Sequence, residues 1–134
     1  MQYSTKVRTA KQAAIETEIG TTPIIEFWDG VMPANCAAAA AGTLMAQFAL
    51  PSDWLAAAAA GAVSKTGTWQ GSAVGTGSLR YFRILRAGSP SECDIQGTVG
   101  PAGSPTYDMT VDNTSVAPGQ TITVSTFTMT AGNA

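Results

Sequence analysis

Histidine is absent from this chain of 134 residues, cysteine occurs twice, and Asp, Glu, Lys and Arg together make up only 12%. Each scarcity removes a class of chemistry. Nucleophilic catalysis of the Ser-His-Asp or Cys-His kind needs an imidazole base, so it is excluded. A structural zinc site has no ligand set, since Cys36 and Cys93 lie too far apart for a CxxC pair and no histidine can complement them. The residues leave two states open for these cysteines: two free thiols, with Cys93 buried in its strand, or a Cys36–Cys93 disulfide formed in an oxidising medium. Seven basic against nine acidic side chains give a net charge of −2, which offers no electrostatic footing for nucleic acid. No apolar run approaches the ~20 residues of a membrane span. Lys6 and Arg8 are not followed by the apolar stretch of a secretory signal.

The nine carboxylates do not suggest an enzyme. Asp94, Asp108 and Asp112 fall at outward positions of expected strands, where solubility accounts for them, and no facing pair of the glycosidase type stands out. Asp108, Asp112 and Asn113 offer oxygens, but their spacing fits no calcium loop. Gly75-Thr76-Gly77 lacks the Lys of a phosphate loop and the strand-to-helix setting of a dinucleotide site. No cofactor or metal is therefore expected. Trp28, Trp54 and Trp69 are read first as core or interface aromatics and only second as a platform for stacking sugars.

Small residues and β-prone runs fill the space that charge leaves. Leu79–Val99 organises the chain: two β-prone runs flank an Ala-Gly-Ser-Pro-Ser loop, the pattern of a hairpin. Its first run carries apolar groups on both faces, with Phe82 and Ile84 on one side and Leu79, Tyr81 and Leu85 on the other. It therefore demands cover on both faces, from the same chain or from a partner. Ile24–Trp28 poses the same demand. Ser4 to Ile19 reads as the one helix, with Ser4 as N-cap and Gly20 as the stop. Its apolar stripe is Tyr3, Val7, Ala10, Ala14, Ile15 and Ile19, while Lys6, Arg8 and Lys11 at its start oppose the helix dipole. This arm, residues 1–20, is expected to serve as an interface element rather than as part of the core.

Further strands are expected at 43–50, with Leu44, Ala46, Phe48 and Leu50 inward, at 62–69, at 107–112 and at 120–130. In the last of these Ile122 and Val124 change parity against Phe127 and Met129, which calls for a bulge near Ser125-Thr126. Ala37–Ala41 is too short for a helix and reads as an extended loop. The tail 131–134 is expected to fray. About seven strands result, giving a mainly β fold: a β-sandwich of jelly-roll or other Greek-key type over residues 21–134, preceded by the helix, in one domain. Its expected core is Phe82, Ile84, Cys93, Ile95, Met109, Val111, Ile122, Val124 and Phe127.

A set of turn and strand patterns runs nearly end to end: Tyr3-Ser4-Thr5, Ala14-Ile15-Glu16, Ile19-Gly20, Leu50-Pro51-Ser52-Asp53-Trp54, Gly67-Thr68-Trp69, Phe82-Arg83-Ile84, Met109–Ser115, Gly119-Gln120 and Ser125–Thr128. In these the chain resembles a family of small virion structural proteins of tailed bacteriophages. The resemblance implies a head decoration or cement protein, made in the host cytoplasm and carried on the capsid surface. Its partners would be the major capsid protein and further copies of itself, as a dimer or trimer, with no nucleic acid and no membrane. Interface residues are expected among Tyr3, Val7, Trp28, Trp54, Tyr81, Arg83 and Leu85. A tail- or fibre-associated module binding host-surface glycan through the tryptophans is the alternative.

Overall fold

A computed structural model describes residues 1–89 and 92–132. Pro90 and Ser91 of the expected hairpin loop, and Asn133 and Ala134 of the tail, lie outside the described residues. The architecture is mainly β with one helix near the N-terminus, as the residues indicate. The helix, α1, spans Thr5–Ile19. Ser4 caps it by accepting from the Val7 amide, and Gly20 ends it at φ 94°, a conformation open to glycine.

Ten short strands follow: β1 Ile24–Trp28, β2 Leu44–Ala49, β3 Ala62–Ser64, β4 Gln70–Ser72, β5 Gly77–Ser78, β6 Tyr81–Leu85, β7 Cys93–Pro101, β8 Met109–Val111, β9 Ser115–Val116 and β10 Thr121–Thr130. One sheet runs in the order β2-β1-β6-β7-β8-β10-β3, with β4 also on β10; β5 and β9 pair separately. All neighbours are antiparallel except β7 and β8, which run parallel through Val99–Pro101 and Met109–Val111. A bridge between Ala46 and Ala73 brings β2 back toward the chain leaving β4, so the sheet curls around its core. That curl is compatible with the sandwich expected.

The hairpin stands where the sequence places it, with Ile84 opposite Ile95 and Phe82 opposite Gly97. The bulge in β10 falls between Val124 and Thr126 and returns Ile122, Val124 and Phe127 to one buried face. Of the expected core, all but Cys93 and Ile95 are fully buried; those two are half-buried, and Ile95 packs against the cluster. A second set completes the core: Ile25, Phe27, Met45, Leu50, Trp54, Leu55 and Trp69. Trp69 tilts against Trp54 and Phe127 at 6.0 and 5.3 Å, and Phe82 meets Phe127 edge-on at 5.6 Å. Phe82→Ala should therefore cost ~3–5 kcal/mol, read as a drop in thermal midpoint by calorimetry.

Several expectations are corrected. The run 62–69 is a strand only to Ser64, because Gly67 takes φ 70° and turns the chain before Trp69. In β2 Met45 points inward beside Ala46, and Phe48 is only half-buried. The helix is not a detached arm. Its Ile19 belongs to the core and Ile15 packs on it, while Val7, Ala10 and Ala14 of the expected stripe face outward. Polar pins hold the helix: Arg8 Nε donates to Ala131 O at 2.8 Å, Trp54 Nε1 to Gly20 O at 3.0 Å, and the Gly61 amide to Thr9 Oγ1 at 2.9 Å. The same Arg8 contact, with Ala131 N donating to Gly61 O, ties down the tail as far as Ala131.

Candidate interaction site

The residues proposed for contact with other chains separate by burial. Tyr81 and Trp54 are inaccessible to solvent, and Arg83 and Leu85 are buried. Trp28 is half-buried and stacks on Tyr81 with 6.5 Å between ring centroids. Tyr3 is half-buried, its ring beneath Lys11 Nζ, and only Val7 is exposed. The apolar groups on the second face of β6 are thus not left over for a partner. Their cover is the alanine-rich loop 30–42 of the same chain.

That loop is clamped at its neck and along its length. Gly30 and Gly42 approach so closely that a Cβ on Gly42 would lie 2.4 Å from Gly30 N. Asp29 Oδ1 accepts from the Thr43 amide at 2.6 Å. The Tyr81 hydroxyl donates to Ala41 O at 2.7 Å and accepts from the Ala41 amide at 2.8 Å. Arg83 Nη2 donates to Cys36 O at 2.5 Å and Gln96 Nε2 to Pro33 O at 2.7 Å. A five-alanine run packs here because Cβ-only side chains let its backbone lie close to the sheet. Burial pushes the Tyr81 hydroxyl above its usual pKa, against the opposing pull of its Ala41 hydrogen bond. A raised pKa means the folded state prefers the neutral phenol. Stability from this group is therefore full below about pH 10 and falls as pH rises through its folded value, which alkaline unfolding curves of Tyr81→Phe against the parent would resolve.

The opening in the molecule lies elsewhere, between β7 and β10. Both strands flank β8, so near it they stand two strand spacings, about 9.6 Å, apart. β8 begins only at Met109, and upstream of it the chain turns away; Asp108 Oδ2 takes the Thr98 amide and hydroxyl, each at 2.8 Å, and ends the ladder. Beyond that point a slot remains. Val99 N donates to Arg80 O across to β6, so by alternation Thr98 and Gln96 turn their main-chain groups the other way, into the slot. On the opposite bank Lys65 N donates to Phe127 O and Ala131 N to Gly61 O, which leaves Thr128 and Thr130 facing the slot. Gln96, Thr128 and Thr130 have no ladder partner on that side among the described residues. Phe82, Phe127, Ile95 and Met129 floor the slot, and it continues as an apolar groove beside Ile15 and Ile19 of α1.

Acidic groups rim this groove: Asp108 at one end, Glu18 and Asp94 at the other, with Lys11 the one lining cation. Arg86 forks onto Asp94 at 3.0 Å through both Nε and Nη2 and reaches Glu18 at 2.9 Å, so its pKa rises, chiefly through Asp94. The sequence signal that could have found the slot is the brevity of β8 between the turn-rich 100–106 and the Asp112 turn, opposite two much longer strands. Exposed large apolar side chains outside the slot include Val31, Val74 and Met32, at 81, 61 and 37% exposure. Among the described residues no group of three or more Cys, Asp or Glu is placed to hold a metal ion, and no helix is long and apolar enough to cross a membrane. Comparison with family models, with curated proteins and with solved structures finds no match.

Proposed function

We propose that this chain is a non-enzymatic structural protein of a tailed-phage virion, a head decoration or cement protein that binds the major capsid protein lattice. The observation that carries the reading is the slot between β7 and β10. Unpaired main-chain donors and acceptors on both banks, one strand apart, suit an extended segment of another protein rather than a compact ligand. The apolar floor asks for apolar side chains at alternate positions of that segment. We assign the segment to the shell protein. A lattice presents it in many copies, so modest single contacts add up to firm attachment. The low charge and the resemblance of the sequence to phage virion proteins support the same reading.

The apolar groups on the second face of β6 lend this role no support, since the loop 30–42 covers them. The glycan-binding alternative loses two of its three rings, because Trp54 and Trp69 are buried. Co-sedimentation of the purified protein with capsids that lack it tests the proposal, with light scattering in parallel for self-association as a dimer or trimer. Saturable binding to capsids and none to a glycan array is the expected result. Glycan binding without capsid binding would replace the proposal with its alternative.

A further inference from the structure

The loop 30–42 and β7 each carry one cysteine, and the fold brings the two together. Cys36 and Cys93 line the same small cavity with Glu26, Arg83 and Leu85, at the outer face of the sheet. Cys93 sits opposite Leu85 in the β6–β7 ladder, at the register shift, and its thiol also reaches Ile95 O at 3.3 Å. Cys36 is held over it by the Arg83 bond to its carbonyl. Both cysteines are half-buried, and neither is joined in a disulfide. Two cysteines 57 positions apart in the sequence do not come to one cavity through local structure; the covering loop places them.

We infer that Cys36 and Cys93 form a redox-controlled staple, a disulfide that closes when the protein meets an oxidising medium and fastens the alanine-rich loop to β7. The inference stands apart from the capsid reading, since it needs only these two side chains and a small-molecule disulfide such as oxidised glutathione. One protein thiolate attacks a glutathione sulfur, forms a mixed disulfide and expels one glutathione thiolate. The other cysteine gives up its proton and attacks the protein-bound sulfur; the Cys36–Cys93 bond forms and the second glutathione leaves. The two cysteines lose two electrons and two protons, and oxidised glutathione becomes two reduced molecules.

The local chemistry makes an attack by Cys36 on an outside disulfide slow and the closing step between the two cysteines fast. Burial, then the hydrogen bond and the repulsion from Cys93, push the Cys36 thiol up to about 11, opposed by the Arg83 charge. At pH 8 its thiolate fraction is therefore about a hundredfold below that of a thiol at its ordinary value. Once the mixed disulfide has formed, the neighbouring thiol is already in place, and the second step is intramolecular.

The test uses the full-length protein, incubated at pH 8.5 with oxidised glutathione and, separately, with a reductant. Oxidised protein should lose about 2 Da relative to reduced protein, and digestion without reductant should yield one peptide joining Cys36 to Cys93. Its thermal midpoint should rise by about 5 °C or more, reversibly, because the cross-link closes a long loop in the unfolded chain. Cys36→Ser and Cys93→Ser should each abolish both changes. Stable glutathione adducts on the cysteines without the internal bond, or a disulfide between two copies, would overturn the inference.

Discussion

Replacing Tyr81 by Asp should unfold the protein or lower its stability by about 4 kcal/mol or more, whether or not any partner is present. Tyr81 is inaccessible to solvent, and its hydroxyl alone satisfies both the N–H and the C=O of Ala41. Aspartate would lose the stacking on Trp28, leave those two backbone groups without their partner and bring a carboxylate toward Glu26 and Asp29. Tyr81→Phe separates these effects, because it keeps the ring and removes only the hydroxyl. It should cost about 1–3 kcal/mol, the range for stranding a buried polar group. Chemical denaturation read by fluorescence checks both, and a Tyr81→Asp protein as stable as the parent would show that the loop 30–42 does not cover β6 in solution.

Blocking the slot should reduce capsid binding by tenfold or more while leaving the fold intact. Thr128→Pro is the informative change: the Thr128 amide faces the slot and takes no part in the β3 ladder, so proline removes a docking donor and inserts a ring, losing from the fold the exposed 2.9 Å bond between the Thr128 and Ser64 hydroxyls. Ile95→Lys places a charge on the floor and beside Lys11. Val74→Ser, at an exposed side chain outside the slot, should bind like the parent. Titration against capsids, with circular dichroism as the fold control, distinguishes the three. Normal binding by Thr128→Pro together with loss in Val74→Ser would move the interface from the slot to the surroundings of Val74.

The distance from sequence to fold was short wherever information is local. The Ser4 cap and Gly20 stop, the hairpin between β6 and β7, and the parity change at Ser125-Thr126 are each written within a few residues and stand where expected. What the chain does not write locally is which neighbour covers which face. The two-sided apolar run at β6 correctly demands double cover, yet nothing near it says that alanines some forty residues earlier supply it. The misassigned helix stripe has a similar cause: Arg8 turns toward the body to make a polar pin and Gln12 is buried, yet both are read as surface residues from their type alone. The slot depends on the length of β8 relative to β7 and β10, a property of the assembled sheet. The meeting of Cys36 with Cys93 likewise depends on the loop's path.

The most direct measurement is a density reconstruction of capsids carrying the bound protein, at a resolution that separates strands. A rod of extended density, contributed by the shell protein, should lie between β7 and β10 within hydrogen-bond distance of Gln96, Thr128 and Thr130. An empty slot on a fully occupied capsid, with contacts made through Val31, Met32 and Val74 instead, would contradict docking in the slot.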